Sequence, residues 1–169
     1  MAKRDVRALI LGAVTAGLVL ANASASEAQT AVERGKYLVT IGGCTDCHTP
    51  GHFLGKPDMT RDLGGSDVGF AIPGLGTFYG PNLTSDTETG LGSWTDAQII
   101  HALRTGEIPG GRILAPAMPW RGLAVLTDFD AAALVAYLRS LPVVHNKVPG
   151  PFGPDEAATS FVMKVVPPG

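Results

Sequence analysis

Two cysteines and one histidine in a single short motif are the residues of this chain best suited to chemistry. The segment Cys44-Thr45-Asp46-Cys47-His48 has the pattern C-x-x-C-H, which is typical of the attachment of c-type haem. Residues at positions i and i+3 lie on one face of a helical turn, so both thiols can add to the two vinyl groups on one porphyrin edge. His48 then lies under the iron as its proximal ligand. The motif predicts one covalently bound haem c.

Three other interpretations of the two cysteines have to be weighed. A structural zinc site needs a fourth ligand and normally a second Cys/His pair, which the sequence lacks. A dithiol redox site usually follows a strand and would not need His48. A plain structural disulfide is the simplest interpretation. The histidine directly after the second cysteine favours haem over all three.

An iron bound by His48 also needs a second axial ligand, either a soft donor or an imidazole. The candidates are Met59, Met118, Met163, His52, His101 and His145. A lone methionine is more often a core filler than a ligand, and we interpret Met59 and Met163 in this way. His101, inside a predicted helix, is expected to be a packed or surface residue. His52 and His145 are expected to be exposed.

Three helices are predicted to position these residues. The first spans 30–42, with an apolar stripe of helical period and a glycine pair just before the motif. The second begins at Thr95, which can form a capping box with Gln98, and ends at Gly106. The third spans 127–141, with acidic residues in its first turn and a proline behind it.

Long segments rich in glycine and proline separate these helices, at 49–82 and 106–122. Neither has a sustained period, so both are predicted to be structured loops. Loops of this length in a compact domain are usually functional or wrap around something. Residues 146–169 are predicted to be an extended tail on the surface. With no strand signal, the predicted fold class is all-α, with three main helices and long loops around the haem.

The N-terminal residues 1–25 have the layout of a secretory signal peptide. Three basic residues among the first seven precede an uncharged, mostly apolar run at 8–21, which is short for a membrane span. An A-x-A cleavage site follows and ends at Ala25. The alternative is an uncleaved N-terminal anchor. We predict cleavage, export to a bacterial periplasm, and a domain at 26–145.

The composition limits what the exported chain can be. The 169 residues are 45% hydrophobic and 17% charged, which suits one globular domain and argues against disorder. Without residues 1–25, 10 basic side chains stand against 14 acidic ones, a net charge of −4. Nucleic-acid binding is therefore disfavoured. No later stretch is long and apolar enough to span a bilayer, so no stable membrane insertion is expected.

The order of several short motifs resembles the class I cytochrome c family. After the C-x-x-C-H motif come GPNL at 80–83, TGLG at 89–92, Trp94, PAMP at 116–119, and a closing helix with YLRSLP at 137–142. The closer similarity is to the cytochrome modules that accept electrons from periplasmic alcohol, aldehyde and sugar-acid dehydrogenases. It covers about residues 30–148. Those subunits commonly carry three modules and an anchor helix, whereas we expect one module and no anchor here.

The resemblance implies roles for residues outside the C-x-x-C-H motif. The methionine ligand of the family falls at Met118, which becomes the expected second axial ligand. The carbonyl of Pro81 is expected to accept a hydrogen bond from the second ring nitrogen of His48, which fixes the orientation of the ring. Leu83 would then touch the porphyrin face. The alternative is that Gly80-Pro81-Asn82 forms only a turn.

Further pocket residues are expected in the segments that enclose the haem, because buried propionates need hydrogen-bond donors. The candidates are Tyr79, Asn82, Trp94, Arg112 and Arg121. For the two arginines, a solvated surface charge is the favoured alternative. For Trp94, a packing role at the start of the second helix is the alternative. Gly35 is expected at the crossing of the first and last helices, with Tyr137 against it. A merely tolerated helical glycine is the alternative there.

The function implied is electron transfer without catalysis, because two axial ligands leave no coordination site for a substrate. The expected carrier takes electrons from a periplasmic dehydrogenase or a quinol-oxidising complex and passes them toward a terminal oxidase. One alternative is an enzyme such as a haem peroxidase, with Met118 displaced or loosely bound. Such an enzyme usually needs a distal His or Arg. Another is a fixed subunit that relays electrons within one complex.

Overall fold

The computed structural model describes residues 30–164 and residue 166. The predicted signal peptide, residues 1–25, lies outside the described residues. The helices of the described part are α1 (Thr30–Ile41), α2 (Cys44–His48), α3 (Asp96–Thr105), α4 (Trp120–Leu123) and α5 (Asp128–Ser140), with 3₁₀ turns at His52–Leu54 and Met59–Arg61. Helices α1, α3 and α5 are the three predicted from the sequence. No helix within 30–164 has the length and apolar character needed to cross a membrane.

Helices α3 and α5 begin and end where local side-chain chemistry places their ends. The Thr95 hydroxyl accepts a hydrogen bond from the Gln98 N–H at 3.2 Å, and Gln98 Oε1 accepts one from the Thr95 N–H at 2.8 Å. Gly106 ends α3 at φ 76°, in the left-handed region that favours glycine. The Thr127 hydroxyl accepts from the Asp130 N–H at the start of α5. The predicted capping box of α3 is confirmed, and α5 begins where the sequence predicted.

Helices α1 and α5 cross closely at Gly35. A Cβ atom at this position would overlap the carbonyl oxygen of Ala133 and lie 2.7 Å from Tyr137 Cβ. A glycine therefore allows the two backbones to approach each other here. An ion pair between Arg34 Nε and Asp130 Oδ1, at 2.8 Å, joins the same two helices. The predicted crossing at Gly35, with Tyr137 against it, is confirmed.

A hydrophobic core lies between these helices and the loops beside them. Its buried members are Val39, Leu63, Leu91, Ile99, Leu134, Val135 and Leu138. Arg139, at the end of α5, donates to the carbonyl oxygen of Leu91 at 3.0 Å and to that of Trp94. The segment before α3 is thereby tied to α5. This core positions α1, and with it the short helix α2 that follows.

A small sheet takes the place of part of the loop predicted at 49–82. Strands β1 (Val68–Ile72) and β2 (Gly76–Tyr79) form an antiparallel hairpin. Strand β3 (Phe161–Lys164) pairs parallel with β1, which gives the strand order β2-β1-β3. The prediction of an all-α fold without strands is therefore wrong in this region.

There are physical reasons why these strands could not be predicted from the sequence. Each has only four or five residues, which is too short for an alternation of apolar and polar residues to stand out. Gly69 interrupts β1, where a Cβ atom would lie 2.7 Å from Tyr79 Cε2, so a ring from β2 packs over it. The third strand comes from the far end of the chain. Its pairing is a tertiary contact with no local sequence signal.

The segment 144–164 packs along the hairpin and the loops around it. Thr77 and Phe152 exchange two backbone hydrogen bonds, of 2.9 and 3.0 Å. The Ser160 hydroxyl donates to the Asp67 carbonyl oxygen at 2.8 Å, just before β3 begins. The C-terminal residues predicted to be an extended tail are thus extended over much of their described length and anchored to the domain.

Candidate haem-binding site

Helix α2 is a single turn that carries the whole C-x-x-C-H motif. Gly43, in the left-handed region at φ 62°, separates it from α1. Cys44 and Cys47 are free and partly buried, and they lie three residues apart on the helix, on one face. Burial raises the pKa of Cys44 to about 11 and also raises the pKa of Cys47. Both groups are therefore neutral thiols at neutral pH in this structure.

His48 ends α2 and is buried, with 5% of its surface exposed. Its Nδ1 atom lies 2.7 Å from the carbonyl oxygen of Pro81. Since a carbonyl oxygen only accepts hydrogen bonds, Nδ1 carries the proton and donates. Burial lowers the pKa of His48, and the hydrogen bond to Pro81 opposes this only in part. The ring is therefore a neutral imidazole whose Nε2 lone pair is available to a metal.

The pairing of His48 with Pro81 depends on close contact between two backbone segments. A Cβ atom at Gly80 would overlap the Cys47 carbonyl oxygen and lie 3.3 Å from His48 Nδ1. Glycine at this position therefore lets the segment that carries Pro81 lie against α2. The Gly65 N–H also donates to the His48 carbonyl oxygen at 2.7 Å. His48 is thus held through both its ring and its backbone.

Asn82 follows Pro81 and is buried, with 1% of its surface exposed. Its Oδ1 accepts from the backbone N–H of Thr84 at 2.9 Å and from the Thr84 hydroxyl at 2.8 Å. Its Nδ2 donates to the Thr89 hydroxyl at 3.1 Å and to the Val144 carbonyl oxygen at 2.6 Å. These four contacts use the hydrogen-bonding capacity of the amide within the protein. Asn82 organises the loop after Pro81.

Leu83 and Trp94 both lie at the margin of the hydrophobic core, partly buried against it. The Leu83 N–H donates to the Leu63 carbonyl oxygen at 2.8 Å, which fixes the strand-like path after Pro81. Trp94 directly precedes the N-cap of α3, and its carbonyl oxygen accepts from Arg139. The packing role expected as the alternative for Trp94 is therefore present in the structure.

Met118 lies in a turn just before α4, and its side chain is half-buried. Its N–H donates to the Ala115 carbonyl oxygen at 2.9 Å, and its own carbonyl oxygen accepts from the Trp120 N–H at 2.8 Å. Pro116 and Pro119 flank it and restrict the backbone. These contacts fix the backbone that carries Met118, on the segment between α3 and α5.

The other sulfur and imidazole donors are engaged elsewhere or exposed. Met59 is 58% and Met163 44% exposed, so the prediction that they fill the core is wrong. The histidines His52, His101 and His145 each face a carboxylate, Asp46, Glu107 and Asp86 respectively, at 3.4 to 3.5 Å.

The donor set of the motif fits a haem better than a bare metal ion. Within residues 30–164, no group of three or more His, Cys, Asp or Glu side chains is arranged to hold a metal ion. A zinc ion at the two cysteines would therefore lack ligands. In contrast, one free imidazole nitrogen beside two thiols suits a group that brings its own four nitrogen ligands, as a porphyrin does.

Three supporting residues of the site were missed by reasoning from the sequence. Gly80 had a signal, since it directly precedes Pro81 in the GPNL motif. Gly65 and Asn146 had none, because their roles arise from contacts between distant segments. Asn146 Nδ2 donates to the Gly64 carbonyl oxygen at 2.8 Å, beside the backbone that binds His48.

Comparison with known proteins agrees with this geometry. The fructose dehydrogenase cytochrome subunit of Gluconobacter japonicus is 37% identical over 112 residues, which are 64% of this chain and 22% of that protein. The gluconate 2-dehydrogenase cytochrome c subunit of Pantoea cypripedii is 34% identical over 137 residues, 79% of this chain and 28% of that protein. A diheme cytochrome c-type protein of Cereibacter sphaeroides is 32% identical over 141 residues, which are 80% of this chain and 46% of that protein.

These matches cover most of this chain but less than half of each relative. The region from 32 to 142, which a family model matches, includes the motif, the GPNL loop and the crossing of α1 with α5. The family model described as cytochrome c matches residues 32–142, well over half of the chain. This chain belongs to the cytochrome c family.

Proposed function

We propose that this cytochrome c is a mono-haem electron carrier. Haem c is bound covalently through Cys44 and Cys47, with His48 and Met118 as the axial ligands. The observation that carries the proposal is the buried imidazole of His48, whose Nδ1 is used by Pro81 and whose Nε2 is left free. A single C-x-x-C-H motif and only two cysteines in the sequence support one haem.

When bound, haem supplies an Fe(III)/Fe(II) couple that accepts and releases one electron. The chain's own residues prepare the site for this use. Pro81 holds His48 in one tautomer and one orientation, so its Nε2 is presented as a ligand without rearrangement. Met118 offers a thioether, a ligand that favours the ferrous state. Two protein ligands leave no place for a substrate, which supports a carrier over an enzyme.

The partners we propose are redox proteins. Relatives named as cytochrome subunits of fructose and gluconate dehydrogenases support a dehydrogenase as the electron donor. The acceptor is a respiratory complex or a terminal oxidase. The signal-like N-terminus supports export to the periplasm. No binding to nucleic acid and no stable membrane insertion is part of the proposal.

The first test is the covalent attachment of haem. The chain is expressed in a host with c-type haem maturation, and the intact mass is measured under denaturing conditions. We expect the mass of the chain from about Ser26 plus one haem, because thioether bonds survive unfolding. The variant carrying Cys44→Ser and Cys47→Ser should show no covalent haem.

A second measurement tests the axial ligands. The ferric protein should show low-spin absorption with the weak long-wavelength band of sulfur-to-iron charge transfer. Haem that is extracted into acidified organic solvent would contradict the covalent assignment. A high-spin ferric spectrum would contradict the carrier and favour an enzyme with an open coordination site.

A further inference from the structure

Residues 141–164, which follow α5 and which we call the tail from this point on, pack against the two segments that hold His48. Three of its residues make these contacts, Val144, Asn146 and Val148, and we call them the tail clasp. They come just after α5, beyond residue 142, where the match to the cytochrome c family model ends. The clasp therefore lies beyond the residues that this family model matches.

The first segment held by the clasp is the glycine pair Gly64-Gly65. A Cβ atom at Gly64 would lie 2.8 Å from Val144 Cγ1, and one at Gly65 would overlap Val148 Cγ1. Asn146 Nδ2 donates to the Gly64 carbonyl oxygen at 2.8 Å. On its other side, Gly65 donates its N–H to the backbone of His48. The glycine pair thus lies between the clasp and His48.

The second segment is the loop that carries Pro81. The carbonyl oxygen of Val144 accepts from Asn82 Nδ2 at 2.6 Å. The Thr89 hydroxyl accepts from both Asn82 Nδ2 and the backbone N–H of Asn146, each at 3.1 Å. Since Asn82 is covalently next to Pro81, the clasp also restrains the carbonyl group that faces His48.

We propose that Asn146 and Val148 are positioning residues that set the length of the hydrogen bond between His48 and Pro81. Through this hydrogen bond they set the ratio of ferrous to ferric protein at a fixed potential. This inference rests on the proposed function, because it concerns His48 as an iron ligand. An acceptor that takes a hydrogen bond from the other ring nitrogen raises the basicity of a ligand imidazole. A loosened clasp lets the Pro81 carbonyl move away from Nδ1, so His48 becomes a weaker donor and the ferric state is stabilised less.

The test compares Val148→Ala and Asn146→Ala with matched controls from the same tail. Val143→Ala removes the same atoms from a valine that is 62% exposed, and Thr159→Ala removes a polar group at an exposed position. Each holoprotein is equilibrated with a redox dye of known potential. We expect the ratio of ferrous to ferric protein to rise about threefold in the two clasp variants, equivalent to about 28 mV at 59 mV per tenfold change.

A second readout separates positioning from simple loss of stability. The NMR shift of the His48 Nδ1 proton in the ferrous protein should move upfield in Val148→Ala and Asn146→Ala, as its hydrogen bond lengthens. Val148→Ile, which keeps the contact, should give the wild-type ferrous to ferric ratio and the wild-type proton shift. Unchanged ratios and proton shifts in folded clasp variants would overturn the inference and leave the proposed function intact. A wild-type chain without covalent haem would instead overturn the proposed function.

Discussion

His48 meets two demands at once, burial and a fixed tautomer. Its ring is almost excluded from solvent, and its Nδ1 donates to the carbonyl of Pro81. A charged imidazolium would be costly there, so the neutral form is favoured and the pKa is lowered. A neutral ring whose Nδ1 carries the proton has one free lone pair, at Nε2. The direction in which this residue can bind is therefore set before any ligand arrives.

Replacement of Met118 by alanine tests the second axial ligand. We expect the ferrous to ferric ratio at a fixed ambient potential to fall by more than about tenfold, because a thioether favours the ferrous state. The variant should also bind cyanide, which would be seen as a shift in its visible spectrum. Spectroelectrochemical titration measures the first effect and cyanide titration the second.

The controls for Met118→Ala are Met59→Ala and Met163→Ala. Both methionines are largely exposed, so neither substitution should change the spectrum or the redox ratio. If Met118→Ala kept the wild-type spectrum while one of the controls changed it, the assignment of the ligand to Met118 would be wrong.

At the scale of elements, the parts that the sequence predicted are those governed by local chemistry. Thr95 and Thr127 cap their helices, and Gly106 ends α3, through contacts within a few residues. The site motif is equally local, since one turn of α2 carries it. The pairing of β1 with β3 depends on contacts between distant parts of the chain. Such contacts leave no periodic pattern in the sequence, and so the sheet could not be predicted.

The crossing of α1 and α5 leads to a prediction about Gly35. The substitution Gly35→Ala should lower the free energy of unfolding by about 1–3 kcal/mol or more, because the new methyl group overlaps the Ala133 carbonyl. Gly122→Ala is the control, since a Cβ atom there has open space around it and its backbone is helical. That control should be neutral or stabilising by up to about 1 kcal/mol. Urea unfolding of the holoproteins measures both, and equal effects would contradict the close crossing.

The ion pair between Arg34 and Asp130 predicts a pH dependence of the same helix pair. The hydrogen bond from Arg34 is the main cause that lowers the pKa of Asp130 below its ordinary value of 3.8. A lowered folded-state pKa adds stability above the unfolded value, and this is lost as pH falls through the folded value. The destabilisation caused by Asp130→Asn should therefore be largest above about pH 5 and shrink toward pH 3.

Urea unfolding at a series of pH values measures this difference between the wild type and Asp130→Asn. Asp155→Asn is the control, because Asp155 is exposed and has no ion pair within the described part of the chain. A destabilisation by Asp130→Asn that stays constant between pH 6 and pH 3 would contradict the role of the charged pair.

At the scale of the whole molecule, the chain carries a cytochrome c domain at residues 32–142, and the relatives described above are longer proteins. It spans between about a fifth and a half of the three relatives described above. The GPNL loop and the residues just after α5 pack beside His48, while α1, α3 and α5 form the core together with Leu63 and Leu91 from the loops. Under the proposed function this domain exchanges electrons with other redox proteins, so its surface charge affects how fast they associate.

The last prediction concerns the association of this chain with its electron donor. Without residues 1–25 the chain has a net charge of −4, so we expect a donor with a neutral or basic patch around its electron exit. Electrostatic attraction speeds association, and salt screens it over a Debye length of about 8 Å at physiological ionic strength. Electron transfer from a reduced dehydrogenase that lacks its own cytochrome subunit should therefore slow as salt rises, measured by stopped flow from about 10 mM to 1 M. A salt-independent rate, in a complex that survives gel filtration, would instead identify the chain as a fixed subunit.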